Sequence, residues 1–280
     1  MTYAPARPAV VHEGDATSHR NVTKWIVALL LFITFLAFLA ALQAFLITSE
    51  GASERTLRRA LATVSEIDVL LDRQYEDLRQ RAESAGPGES LELQDFPLTV
   101  EFTASEVSSQ SRDELRDTLL DRGASTLYDD GTGAMRAESS TGDVAVFSLG
   151  GSIDRALNLL REDVHTALAV VMVVLGAIAL ALTGLLITAT RGFGRILAPA
   201  AVALAASTTL AAAGLLARLS LETSGGDEYV RAQFLDIARE LVWLPIRNGA
   251  ILAGVSALVT AIAAIGARAS DGGRRQAAEE

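Results

Sequence analysis

The chain has 280 residues, no cysteine and a formal net charge of −10. Without cysteine it can have no disulfides, thiolate metal sites or cysteine nucleophiles. Its acidic balance argues against binding nucleic acid, whose phosphates require a basic surface. Half of the residues are hydrophobic although 21% are charged, and this mixture is unusual for a single globular core.

Charged residues are absent from four long stretches of the chain, at 25–49, 166–190, 196–217 and 248–267. Each stretch has the roughly 20 apolar residues that a helix needs to cross a hydrocarbon layer of about 30 Å. We therefore predict four transmembrane helices at these positions. The first is too long and too bulky for a cleaved signal peptide, so we interpret it as an uncleaved anchor.

The basic residues outside these stretches predict the orientation. The tail 1–24, which we expect to be disordered, the link 191–195 and the tail 268–280 all carry arginines, and an even number of spans places them on one side. We expect a multi-pass protein of the cell (plasma) membrane with both termini in the cytoplasm. The arginines of residues 218–247 oppose this assignment.

The expected fold class is a membrane all-α protein, a four-transmembrane-helix bundle with a small α+β extracytoplasmic domain inserted between the first and second spans. This domain is residues 50–165, which contain 24 acidic residues and 12 arginines. Residues 218–247 form a second extracytoplasmic segment. Its apolar residues recur at helical spacing, which predicts an amphipathic helix that ends before Pro245, where the fourth span begins.

The first part of the domain has a helical pattern. Apolar residues at steps of three and four from Leu57 to Leu78 predict one helix over about 53–84, with Ser53 as its N-cap and residues 86–88 as its end. Two interpretations of this apolar stripe are open. It packs on the domain's own sheet, or it forms a juxtamembrane coiled coil between two copies.

The remainder of the domain alternates between strand and helix patterns. Ser111 and Glu114 form a capping box, which predicts a helix that continues to about Tyr128. Alternating apolar residues predict about four strands, and a last helix is expected to lead directly into the second span. These elements are strands at 91–93, 97–103, 134–139 and 144–149, a turn at 129–133 and a helix at 153–164.

The composition of the spans predicts how they pack. The third and fourth spans are rich in alanine and glycine, and small residues favour close contact between helices in lipid. We expect these two spans to pack tightly inside the bundle and the first span, rich in Phe and Leu, to face lipid. The span hydroxyls are expected to bond to carbonyls of their own helices: Thr183, Ser207, Thr208, Thr209, Ser256 and Thr260.

The centres of the spans contain no ionisable residue, which disfavours proton-coupled transport. No catalytic or cofactor-binding motif is found, and no cofactor is expected. The one weak candidate for a metal or pH-sensing site is His165 with Glu162 and Asp163 at the outer membrane boundary. An interfacial histidine with acidic neighbours is the simpler interpretation.

The order of one span, a large external domain and three further spans is similar to that of the cell-division permease-like subunits of ABC systems. Those proteins have a substantial cytoplasmic loop between the second and third spans that engages an ATPase. Here that loop is only residues 191–195. The resemblance therefore concerns topology, and we infer no function from it.

The sequence favours a non-enzymatic membrane protein, an accessory, scaffold or sensor that binds a partner protein through its extracytoplasmic domain. The alternative is a transport or channel component that works as a homo-oligomer, with the third and fourth spans along a polar path. An enzyme acting at the membrane is the third hypothesis. The expected surroundings are the lipid bilayer and a protein partner or further copies of the chain, without nucleic acid.

Overall fold

The structure is a computed structural model that describes residues 14–86, 88–131, 158–223 and 229–276. Of these residues 85% are helical, and the strands among them form one two-stranded sheet. In chain order the elements are α1 (Gly14–Ile47), α2 (Glu50–Val64), α3 (Ile67–Ser84), β1 (Ser90–Glu92), β2 (Glu101–Thr103), α4 (Ala104–Ser109), α5 (Arg112–Asp130), α6 (Glu162–Ala189), α7 (Gly194–Thr223) and α8 (Tyr229–Gln276).

Four helices in the described part of the chain are long and apolar enough to cross a membrane, as predicted. Their candidate spans are Val22–Ile47, Glu162–Ala189, Gly194–Thr223 and Leu235–Arg268. Each helix extends beyond the uncharged stretch that identified it. Backbone hydrogen bonding continues past the charged residues that flank these stretches, so a charged residue does not end a helix.

The chain divides into two compact units. The span unit comprises the described parts of residues 1–40, 173–213 and 245–280, and the domain unit comprises the described parts of residues 41–172 and 214–244. The domain unit therefore contains α2 to α5, together with the adjoining ends of α1, α6, α7 and α8.

The predicted helix over 53–84 is two helices, because the chain breaks at Ser65 and Glu66. Glu66 has φ 43° and ψ 44°, in the left-handed region, which costs a non-glycine residue roughly 1 kcal/mol. No glycine or proline lies between residues 53 and 84, so the sequence carries no breaking signal. The prediction of Ser53 as N-cap is also wrong, since α2 begins at Glu50 after Ser49.

The break lets both halves of the apolar stripe reach one core. Leu57 and Leu61 of α2 are buried with α5, while Leu71 and Leu78 of α3 belong to the same cluster of buried residues. The stripe thus packs within its own domain, and the coiled-coil interpretation is wrong. Gly123 of α5 allows the close approach, because a Cβ there would lie 2.6 Å from Leu61 Cδ2.

The two described strands pair antiparallel, with Leu91 opposite Phe102. The strand predicted at 97–103 is regular only over Glu101–Thr103, although Leu98, Val100 and Phe102 are all buried, as the alternation predicts. The predicted strands at 134–139 and 144–149 lie outside the described residues.

Capping boxes begin both helices that follow β2. At α5 the Ser111 hydroxyl accepts from Glu114 N and the Glu114 carboxylate accepts from Ser111 N, which confirms the prediction. The short helix α4 was not predicted, although Thr103 and Glu106 form the same box. Glu106 also pairs with Arg122 of α5, which ties α4 to the domain core.

Two predicted helix boundaries near the membrane are wrong. The segment before α6 does not run directly into the second span, because residues 159–161 form a turn and a bend before α6 begins at Glu162. Conversely, α8 continues through Pro245, which was expected to open a separate helix. Proline is tolerated inside membrane helices, because neighbouring groups can satisfy the carbonyl that loses its donor.

In the span unit α1 packs against its neighbours. Leu31 of α1 is buried beside Ala179 and Leu186 of α6, and Leu39 of α1 beside Ala206 and Leu210 of α7. The buried share is 22% for the span in α1 and 6% for the span in α8. The expectation that the fourth span lies inside is therefore wrong. The first span exposes Trp25, Leu29 and Ile33, as expected of a helix that faces lipid, but it also buries Leu31 and Leu39 against other helices.

The predicted close contact between the third and fourth spans is confirmed at Gly249 of α8. A Cβ on this residue would lie 3.0 Å from Ala211 N and 3.1 Å from Ser207 O, both backbone atoms of α7. Hydroxyls of the spans donate to their own helices at Thr183, Thr208, Thr209 and Thr260, as predicted. Ser207 does not, since its buried Oγ has no hydrogen-bond partner among the described residues.

We predict that Gly249→Ala destabilises the protein by about 1–3 kcal/mol, the usual cost of overpacking, because the α7 backbone would have to move. Gly254→Ala on the same helix is the matched control, since a Cβ there meets nothing within 4 Å. Thermal unfolding in detergent measures both variants. Equal midpoints would contradict the close contact of α7 with α8.

We predict a pH-dependent effect for Glu106→Gln. The hydrogen bonds from Arg122 and Thr103 lower the pKa of Glu106 from 4.5 to about 2, so its stabilisation is complete above pH 4.5 and is lost as the pH falls toward 2. At pH 7 the variant should lose ~2 kcal/mol, the loss expected for a hydrogen bond to a charged group.

Thermal unfolding at pH 7 and pH 3 tests this prediction, with Glu76→Gln as the control, because Glu76 is exposed on α3. The deficit of Glu106→Gln should shrink at the lower pH. A deficit that is the same at both pH values would show that the pair with Arg122 does not depend on the charge of Glu106.

Candidate functional site

The chain enters and leaves the domain at two helix ends that contact each other. The ring of Phe45, near the end of α1, stacks on the imidazole of His165, near the start of α6, with centroids 4.2 Å apart and planes inclined by 22°. Thr48 Oγ1 lies 3.2 Å from His165 Nδ1. We call these three residues the junction.

The hydrogen bonds of Thr48 indicate the tautomer of His165. Thr48 Oγ1 donates to Phe45 O at 3.3 Å, and a hydroxyl has only one proton to donate. Both contacts are satisfied when Thr48 accepts from a protonated Nδ1. The junction thus joins α1 to α6 through a stacked ring and a hydrogen bond between residues 117 positions apart in the chain.

The candidate metal residues are not brought together around His165. Asp163 is exposed and pairs with Arg161 at 3.1 Å. Glu162 lies near Tyr128, whose pKa is raised by burial and then by the charge of the Glu162 carboxylate. The described residues contain no group of three or more His, Asp or Glu that could hold a metal ion. The geometry of His165 suits a structural contact.

Arginines of α2 form a second set of contacts beside the junction. Arg58 donates to Asp117 and Asp121 of α5, both at 2.6 Å, and Arg59 pairs with Glu240 of α8. A cavity of about 250 Å³ lies between α2 and α8, lined by Ala52, Arg55, Thr56, Arg59, Ile237, Glu240, Leu241 and Leu244. Helix α2 therefore contacts both α5 in the core of the domain and residues 237–244 of α8.

Helix α8 also contacts α7 through residues that precede its uncharged stretch. The guanidinium of Arg218 lies over the ring of Trp243, 5.5 Å from its centroid, and Arg218 pairs with Glu222 at 3.1 Å. Arg239 donates to Leu221 O at 3.5 Å. The four arginines of residues 218–247 that opposed the orientation assignment thus include two engaged in contacts that fasten α8 to α7.

Carboxylates also lie around Glu54, about one turn before Arg58 on α2. Partial burial, together with the nearby carboxylates of Glu50, Asp121 and Asp129, raises the pKa of Glu54. An acid whose pKa is higher in the folded protein binds its proton more tightly there, so lowering the pH through that pKa relieves the repulsion. Glu54 and Arg58 are four residues apart and share one face of α2, and Asp121 of α5 lies near both, since it also accepts from Arg58.

Comparison with known proteins gives no identification, because no family model, curated protein or solved structure matches this chain. The sequence singled out His165 but not its partners Phe45 and Thr48, since nothing in the pattern shows that α1 and α6 meet there. The arginines of α2 were likewise missed. Their spacing of three and four residues was the available signal.

We predict that His165→Ala weakens the junction and that His165→Phe weakens it less. Alanine removes both the stacked ring and the hydrogen bond, together worth about 2 kcal/mol, whereas phenylalanine keeps the ring. Hydrogen–deuterium exchange of residues 45–64 in detergent is the measurement, because opening of the junction exposes these amides.

Thr48→Val is the companion variant, since it removes the hydroxyl while keeping the shape of the side chain. It should match His165→Phe in the extent of the change. Exchange in His165→Ala as slow as in the unchanged protein would mean that the junction does not hold the two helix ends.

Proposed function

We propose that this chain is a non-enzymatic accessory, scaffold or sensor protein of the cell membrane that binds a partner protein through the domain between its first two spans. Both termini lie in the cytoplasm in this proposal, and the domain lies outside. The observation that carries the proposal is the junction, at which the segments entering and leaving the domain are joined directly. The Phe45–His165 stack and the Thr48 hydrogen bond hold the two helix ends together.

A domain supported in this way transmits force efficiently. Because α1 and α6 are joined at Phe45 and His165, a partner that displaces the domain displaces both helix ends together. The contact of Arg59 with Glu240 adds the outer part of α8 to the same assembly. The ends of α1, α6 and α8 thus all take part in these contacts. A sensor or coupling subunit needs such contacts to pass a movement of its domain to its membrane helices.

The residues near the junction have structural roles that favour a non-enzymatic protein. His165 uses its ring and Nδ1 in contacts with Phe45 and Thr48, and Arg58 is held by two carboxylates. General acid–base or nucleophilic catalysis requires groups within hydrogen-bond reach of one another and open to a substrate. His165 and Arg58 instead use these groups in contacts with other residues of the protein.

The alternative of a transport or channel component has less support. A polar path requires hydroxyls that face an aqueous lumen, whereas Thr183, Thr208, Thr209 and Thr260 donate to carbonyls of their own helices. The exposed side chains of the fourth span, such as Ile251, Leu258 and Ile262, are apolar, as expected for contact with lipid or with another helix.

We predict that the full-length protein, purified from native membranes by a C-terminal tag, retains a partner in constant proportion. Reversing charges on the exposed face of α3, with Glu76→Lys and Glu83→Lys, should reduce that partner several-fold, because complementary charge steers association. Quantitative mass spectrometry of the purified material is the measurement.

Charge reversal in the tail, Glu279→Lys with Glu280→Lys, is the matched control and should leave the partner in place. Equal loss in both variants would locate binding away from the domain. Recovery of a homo-oligomer alone that conducts ions in liposomes would overturn the proposal in favour of the channel alternative.

A further inference from the structure

Four arginines line a second cavity on the domain unit, next to the one between α2 and α8. Its volume is about 260 Å³, and its walls are Arg55, Arg58, Arg59, Ala62, Arg116 and Leu120. No carboxylate contributes to these walls. In a domain with twice as many acidic residues as arginines, this is a local concentration of guanidinium groups.

Ion pairs hold Arg58, Arg59 and Arg116 in position. The fourth arginine, Arg55, has no ion pair among the described residues. Arg58 is held by Asp117 and Asp121 of α5, and Arg116 by Asp68 of α3. A guanidinium has five N–H donors, so these pairs leave donors for an additional anion. Arg55 is exposed, and no carboxylate of the described residues pairs with it.

The arginine-lined cavity and the cavity between α2 and α8 share two residues, Arg55 and Arg59. On one side of these residues the walls are mainly guanidinium groups, and on the other they include Ile237, Leu241 and Leu244. The carboxylate on this second side, Glu240, is paired with Arg59. The two cavities together therefore have a cationic end and an apolar end. A ligand with an anionic group next to an apolar part matches this arrangement.

The position along α8 locates the cavities near the membrane surface. The uncharged stretch of this helix begins at residue 248, so Leu244 precedes it by about 6 Å along the helix and Glu240 by about 12 Å, at 1.5 Å per residue. Trp243, between them, is of the residue type enriched at the headgroup level. Leu244, at the apolar end, is thus the lining residue of α8 that lies nearest to the uncharged stretch.

We propose that the paired cavities bind one anionic phospholipid, with the phosphate held by Arg55 and Arg116 and the glycerol end directed along Leu241 and Leu244. Guanidinium groups bind phosphate oxygens through two parallel hydrogen bonds. The volume of about 260 Å³ is smaller than the roughly 300–1,000 Å³ of pockets that enclose a whole drug-sized ligand, which suits a headgroup whose acyl chains remain in the bilayer.

The charge of the domain distinguishes a lipid from a soluble phosphate. Residues 50–165 have 24 acidic side chains and 12 arginines, so the domain as a whole repels an anion that approaches through water. A headgroup diffuses within the membrane plane and reaches the base of the domain without crossing that field. The same arginines therefore favour an anion that is delivered by the bilayer.

The test is a titration of the full-length protein in neutral detergent, followed by native mass spectrometry. The probes are phosphatidylglycerol, phosphatidylcholine, inorganic phosphate and glycerol 3-phosphate. Phosphatidylglycerol should bind at least about tenfold more tightly than phosphatidylcholine, and Arg55→Gln should weaken it about tenfold. Because Arg55 has no ion pair to lose within the described part of the chain, this variant is expected to fold.

Arg73→Gln is the matched control, since Arg73 is an exposed arginine of α3 outside the paired cavities, and it should bind phosphatidylglycerol as the unchanged protein does. Equal affinity for the two lipids would overturn the proposal, as would equal losses in the two variants. Binding of free phosphate or glycerol 3-phosphate as tight as that of phosphatidylglycerol would overturn the lipid assignment and indicate a soluble phosphorylated ligand.

Discussion

The structure depends on one constraint, that a chain segment surrounded by hydrocarbon must satisfy its backbone hydrogen bonds within itself. In this chain the constraint produces helices that continue past the uncharged stretches, as α8 does through Pro245. The helix ends that project beyond the hydrocarbon are then available for polar contacts. Arg218, Glu240 and His165 all lie near such ends, where they contact Trp243 of α8, Arg59 of α2 and Thr48 after α1, respectively.

Features that depend on neighbouring residues could be predicted from the sequence. The four apolar helices follow from uncharged runs, and the start of α5 follows from Ser111 and Glu114. The burial of Leu98, Val100 and Phe102 on one face follows from their alternation, even where the strand is irregular. In each case the physical cause lies within one continuous segment, so a pattern in the chain is enough to reveal it.

Features that depend on distant contacts could not be predicted. The left-handed Glu66 exists because α2 and α3 reach the same core from different directions, and nothing in its neighbourhood indicates a break. The first span was assigned to lipid by its large residues, whereas Leu31 and Leu39 fill spaces beside small residues of other helices. The junction and the arginine-lined cavity likewise join residues from separate elements, and only the three-dimensional structure brings them together.

The position of Gly123 also bears on the evolution of this protein. The helices α2 and α5 approach each other where this residue has only a hydrogen atom, so a side chain at that position would have to displace the buried side chain of Leu61. Lineages that have diverged beyond recognition by overall similarity are therefore expected to retain a glycine here, and it offers a fixed point from which remote relatives of the domain can be aligned.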